Sequence, residues 1–187
     1  MIQRVTEIFE DSIRVKQETL KLNADKIVQT ARTMIDVFHA GGKVLFCGNG
    51  GSAADSQHIA AEFIGRFQKE RRALSAIALT TDTSILTALA NDYSADIVFA
   101  RQIEGLGKPG DLLFAISTSG NSRNVLEAVK KAKKMGIKTV SLTGGSGGEL
   151  AKLTDISLIV PSKTTARIQE SHLCIEHAIC DLVESVY

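Results

Sequence analysis

From Lys43 onward, short continuous apolar runs alternate with stretches of helical spacing. KVLFC (43–47) leads into SAADSQHIAAEFIGRF, and ALSAIAL (73–79) precedes helical spacing around 83–106. DLLFAIS (111–117) follows a Pro109-Gly110 turn and leads into NSRNVLEAVKKAKKMG (121–136), closed by Gly136. KTVSLTG (138–144) and DISLIVP (155–161) flank a short helix near 147–153, and a last helix covers about 165–186. Apolar runs bounded by turn residues read as strands buried on both faces. Strands that alternate with helices require a parallel sheet with helices on either side. Five such runs predict an α/β domain, a doubly wound three-layer sandwich around a five-stranded parallel sheet.

Two helical patterns precede that alternation. Val5, Ile8, Phe9 and Ile13 recur at three and four, as do Ile27, Val28, Ala31, Ile35 and Phe38, and Gly41-Gly42 stops the second. Two N-terminal helices are therefore expected, packed on the sheet or on another subunit. The 187 residues fit a single domain, 1–187, with a helical extension (1–40) and an α/β core (41–187).

Composition removes several function classes. The formal net charge of +1 provides no global field for nucleic acid or an anionic membrane. The basic run Lys130, Lys131, Lys133, Lys134 reads as a solvated helix face. Cys47, Cys174 and Cys180 give no disulfide framework and suit a reducing cytosol. The N-terminus mixes charged with apolar residues, unlike a signal peptide. No apolar run approaches the roughly 18 residues that span a bilayer. A cytoplasmic protein without nucleic-acid or membrane partners is expected.

In an open parallel sheet, ligands bind beyond the carboxyl ends of the strands. Two loops at that edge are chemically loaded. Cys47-Gly48-Asn49-Gly50-Gly51-Ser52 joins a strand to a helix. Its glycines permit close backbone approach, and Ser52 is expected to cap the helix, whose free N–H groups attract anions. Ser117-Thr118-Ser119-Gly120-Asn121-Ser122 repeats the arrangement with hydroxyls that suit a phosphate. Neither loop carries the Gly-Lys-Ser/Thr of a P-loop. Gly48-x-Gly50-x-x-Ala53 is a poor dinucleotide fingerprint, and KTVSLT ends without the acidic residue that holds a ribose. Each loop alone reads as turn chemistry; two at one sheet edge point to phosphate.

STSGNS (117–122) and the Gly-Asn-Gly-Gly-Ser loop resemble the sugar isomerase (SIS) domain family, whose flavodoxin-like domains bind phosphosugars in this way. GNGGSAADSQHIAAEF (48–63), ANDYSADIVFARQ (90–102) and ARIQESHLCIEHAICDLVE (166–184) narrow the resemblance to its sedoheptulose 7-phosphate isomerase branch, essentially end to end.

His58 and Glu62, four apart on one helix, share a face. Gln169 and His177, two turns plus about 80° apart, project beside a stripe of Ile168, Ile175, Ile179, Leu182 and Val186. By spacing alone, the first pair reads as a surface contact and His177 as a structural histidine. The resemblance assigns acid–base chemistry to Glu62 and His177. It assigns zinc binding to His58, Glu62, Gln169 and His177. It assigns substrate contacts to Asn49, Gly50, Gly51, Ser52, Glu62, Asn91, Asp92, Ser117, Thr118, Ser119, Ser122 and Gln169. Some members carry an acidic residue where this chain has Ala166. The implied reaction converts D-sedoheptulose 7-phosphate to D-glycero-D-manno-heptose 7-phosphate through an enediol, the first step of bacterial heptose synthesis. The heptose then goes to a lipopolysaccharide core or a capsule. The resemblance also implies a homotetramer with sites at subunit interfaces.

Two other readings stand beside this one, of which the first resembles the chain over the same length. One is a non-catalytic relative that binds the bacterial replication initiator and lacks the residues matching Glu62 and His177. The other is a phosphosugar-sensing regulatory module, which a DNA-binding element would accompany. The presence of Glu62 and His177 favours the enzyme.

Overall fold

The computed structural model describes residues 1–187. The elements run α1 (Ile2–His39), β1 (Val44–Cys47), α2 (Gly51–Ile64), β2 (Ala76–Ala78), α3 (Thr83–Asp92), a 3₁₀ turn (Ala95–Ile97), α4 (Val98–Leu106) and β3 (Leu112–Ser117). They continue with α5 (Arg123–Lys134), β4 (Lys138–Gly144), α6 (Leu150–Leu153), β5 (Ile156–Val160) and α7 (Thr165–Glu184). All five strands pair in parallel, in the order β2-β1-β3-β4-β5. The order reverses between β1 and β3, so the crevice of this doubly wound sheet opens at their carboxyl ends.

Side-chain alternation builds the two outer layers. Val44 and Phe46 of β1, with Leu112, Phe114 and Ile116 of β3, face a core shared with α1, α2 and α7. Leu45, Cys47, Leu113 and Ala115 point the other way, into a core closed by α4, α5 and α6. A continuous apolar strand is what a sheet covered on both faces requires.

The two expected N-terminal helices are one helix of 38 residues. KQETLKLNADK, between the two apolar patterns, contains no glycine or proline, so nothing breaks the backbone ladder. The polar Asn23 in that stretch is buried, and its amide bonds both backbone groups of Ile159, at 2.9 and 3.1 Å. It thereby satisfies the open edge of β5, which α1 covers. From Val15 onward α1 belongs to the main core. Its first turns leave Ile2, Val5, Phe9 and Ile13 exposed.

The apolar stripe of α7 also needs correction. Ile168, Ile175 and Ile179 are buried, but the line continues through Cys180 and Val183, while Leu182 and Val186 face out. A 3.6-residue period rotates the buried face by a position over this length. No helix is long and apolar enough to cross a membrane.

Candidate active site

The two glycine- and serine-rich loops end β1 and β3, next to each other at the point where strand order reverses. Asn49 and Asn124 tie them together by two amide–amide hydrogen bonds of 2.9 and 2.8 Å. Asn124 lies outside the motifs read from the sequence. An asparagine in the first turn of a helix carries no local signal of a partner 75 residues away.

The first loop turns into α2 through Gly50, whose φ of 56° is a left-handed conformation suited to glycine. Ser52 does not cap that helix. It lies inside the first turn, buried, and its carbonyl accepts the Ser56 hydroxyl at 2.8 Å. Gly51 has a different reason to be glycine. A Cβ there would fall on the side-chain amide of Gln169, which brings α7 against the first loop.

The second loop is built from its own polar groups. The hydroxyls of Ser117 and Ser122 lie 3.0 Å apart, and Ser119 Oγ accepts the Asn121 N–H at 3.2 Å. Gly120 packs so closely on Gly147 that any Cβ would collide with the Gly147 carbonyl. Thr118 and Ser119 open onto a cavity of about 340 Å³, lined also by Gly144, Gly145, Lys163 and Thr165. Another cleft of about 280 Å³ lies between α4 and α5, toward the far end of α5 from Ser122. Of its four cations, Arg101, Lys130 and Lys131 pair with Glu104 and Glu127, while Lys134 makes no ion pair, so the cleft is net positive.

The titratable residues converge on the seam between α2 and α7. His58 Nε2 lies 3.0 Å from His177 Nε2, across 119 residues of sequence, and 3.5 Å from Glu62 Oε1. His58 thus bridges toward His177 on α7 and Glu62 on its own helix, with Gln169 nearer the Gly51 end of the same seam. No three His, Cys, Asp or Glu side chains are arranged as a ready-made metal cluster. Asn91 and Asp92 bond to each other at 2.8 Å on the exposed end of α3 and make no hydrogen bond to the other candidate residues.

Three groups, on α7 and in the loop after α2, escaped sequence reasoning. Phe67, in the loop after α2, lies with its ring 5.4 Å from the His177 ring. Glu176 is buried with neither carboxyl oxygen hydrogen-bonded. Burial, reinforced by the charge of Asp55 on α2, pushes its pKa up to about 8. Asp55 is itself raised by burial, partly offset by His58. Five residues before His177, His172 is fully buried and bonds the Thr143 carbonyl at 3.1 Å. Burial holds it down at about 4, against that hydrogen bond. A histidine or glutamate inside an apolar helical pattern gives no sequence signal of its depth.

The SIS domain family model matches residues 8–144. The chain is 54% identical to the phosphoheptose isomerase of Roseiflexus sp. (strain RS-1) over 180 residues, covering 96% of this chain and 91% of that protein. The structure of phosphoheptose isomerase GmhA from Neisseria gonorrhoeae superposes with a TM-score of 0.94 at 49% identity, covering 99% of this chain and 100% of that one. A phosphoheptose isomerase structure from Francisella tularensis gives a TM-score of 0.95 at 42% identity, covering 98% of each chain.

Proposed function

Since the chain belongs to the SIS domain family, in its phosphoheptose isomerase branch, we propose that it converts D-sedoheptulose 7-phosphate to D-glycero-D-manno-heptose 7-phosphate with Glu62 and His177 as its acid–base pair. The observation that carries this reading is the meeting of α2 and α7. It brings the His58, Glu62 and His177 side chains together on α2, the helix that leaves the first loop, and α7, whose Gln169 reaches that loop.

The chemistry requires those groups. The ketose gives up a proton from C1 and the aldose carries one at C2, with an enediol between. One group must take a carbon-bound proton while another protonates the carbonyl oxygen. A carboxylate and an imidazole divide these roles, each worth typically about 10²–10⁴-fold. The hydroxyls of Ser117, Ser119 and Ser122 are assigned to the phosphate, with Thr118 beside them. Asn49, Gly50, Gly51 and Ser52 of the first loop are assigned to the substrate as well, with Gln169 of α7 packed against Gly51. Asn91 and Asp92 are assigned to the sugar from α3.

A divalent metal, most simply zinc, fits the donor types of His58, Glu62, Gln169 and His177, and the facing imidazoles support it. Bound there, it would polarise the carbonyl and stabilise negative charge on the enediolate. Elemental analysis of purified protein is expected to find one ion per subunit. No metal together with full activity after chelation would leave Glu62 and His177 as unassisted acid and base.

The exposed Ile2, Val5, Phe9 and Ile13 on α1 support assembly into a homotetramer that covers them, with sites near subunit interfaces. Light scattering is expected to give four subunits, and a fully active monomer would overturn this. Three free cysteines, two of them buried, suit a reducing cytosol. The function itself is tested by incubating the protein with sedoheptulose 7-phosphate in D₂O. Aldose should form with deuterium incorporated at carbon. Tight binding to a replication initiator without turnover would falsify the enzyme reading.

A further inference from the structure

We propose that Arg71, Glu184 and Phe67 form a positioning device that sets His177 against Glu62. This rests on the acid–base roles given above. Arg71 and Glu184 are both buried side chains, 1% and 3% exposed, and meet as an ion pair at 3.2 Å. Each also completes one side of the seam. Arg71 caps the end of α2: its guanidinium donates to the Glu62 carbonyl at 2.7 Å and the Phe63 carbonyl at 2.9 Å. These are last-turn carbonyls without helical partners, at the negative end of the helix dipole. The cap therefore grips the backbone of Glu62 itself.

Glu184 ends α7, two turns beyond His177. Its carboxylate accepts the backbone N–H groups of Phe67, Gln68 and Lys69 at 2.9, 2.7 and 2.8 Å. Burial raises its pKa, but these three donors and Arg71 outweigh that and hold it below the usual carboxylate range. The loop so pinned carries Phe67, whose ring lies 34° from the plane of the His177 ring. The path is continuous. The Glu62 carbonyl bonds Arg71, Arg71 pairs with Glu184, Glu184 fixes the loop, and the loop sets Phe67 against the imidazole. Nothing in this path touches the loop at 117–122, so it governs the reacting groups and leaves the proposed phosphate contacts alone.

Steady-state kinetics on the intact protein test the device. Arg71→Lys keeps a charge near Glu184 but not the fork that reaches the Glu62 and Phe63 carbonyls and also those of Gly65 and Arg72. Phe67→Ala removes the ring and leaves the ion pair. Each is expected to lower kcat by about tenfold or more, since small displacements of reacting groups are costly. KM should stay within about twofold. Phe67→Tyr should restore kcat. The double variant should lose little more than the worse single, because both act on one path. A merely structural role would lower the melting temperature and leave kcat per folded molecule unchanged. Should Arg71→Lys not fold, Phe67→Ala and its rescue decide. Wild-type turnover with kcat unchanged in Phe67→Ala, or with KM raised instead, overturns the proposal. Absence of wild-type turnover would instead strike the functional reading on which it rests.

Discussion

The seam between α2 and α7, which starts beside the first loop at Gly51 and Gln169, and the loop at 117–122 are built on opposite plans. The seam gathers groups from distant sequence, with His58 and His177 119 residues apart. Its members are imidazoles and carboxylates, and a buried ion pair closes its far end. The loop is one run of six residues, neutral, and held by its own hydroxyls and a glycine-to-glycine contact. Proton transfer needs groups of unlike chemistry at a distance that no local segment supplies. Holding a phosphate needs only donors, and a strand–turn–helix unit delivers those by itself. Damage to the seam should therefore appear in kcat, and damage to the loop in KM.

The largest expected effect breaks the seam. Glu62→Gln and His177→Gln should each lower kcat by at least about 10²-fold with the fold intact by circular dichroism. Near-normal turnover in either would remove that residue from the chemistry.

The next effect sharpens the contrast through pH. Glu176 in the seam is raised by burial from 4.5 to about 8, so the folded state holds its proton more tightly than the unfolded chain. Its contribution is intact below pH 4.5 and is lost as pH rises toward 8, to the extent of about 3 kcal/mol by pH 7. His172, under the β4 carbonyl beside the loop, is depressed from 6.5 to about 4, again by burial. Here the unfolded chain binds the proton more tightly. Stability is intact above pH 6.5 and falls, by up to about 3 kcal/mol, as pH drops toward 4. The two slopes have opposite sign and offset each other between pH 4.5 and 6.5, so urea unfolding from pH 4 to 8.5 should show a net fall only above about pH 6.5; Glu176→Gln should abolish that fall and uncover the rise due to His172 below it. An unchanged upper slope in that variant would show Glu176 to be hydrated.

The smallest effect lies in the loop. Ser119→Ala and Ser122→Ala should each weaken substrate binding by about 1.5–3 kcal/mol, the usual worth of a hydrogen bond to a charged group. That is read as a higher KM with kcat largely kept, and inorganic phosphate should compete less well with substrate. If neither constant moves, the phosphate is held elsewhere.

Legibility followed the same division. STSGNS could be read directly, because all the residues that shape it are neighbours in the chain. The Ser52 cap could not. Whether a serine after two glycines caps a helix or enters it depends on where Gly50 takes its positive φ, which composition does not reveal. The continuity of α1 was also hidden. Its polar middle looks like a break until Asn23 is seen bonding the edge of β5. Glu184 and Arg71 had no signal at all, since a helix-end glutamate and a loop arginine are ordinary surface residues in a sequence.

The sequence by itself determined the layered architecture, the five strands, the positions of the two glycine- and serine-rich loops and the family. These follow from local periodicity, from glycine and hydroxyl chemistry, and from motifs contiguous along the chain. Only the tertiary structure decided that Phe67 lies against His177, that Gln169 takes the space beside Gly51, and that Arg71 and Glu184 close the seam. Those contacts depend on how two helices pack across a sheet. A side chain's depth and partner are properties of that packing, and the order of residues along the chain does not record them.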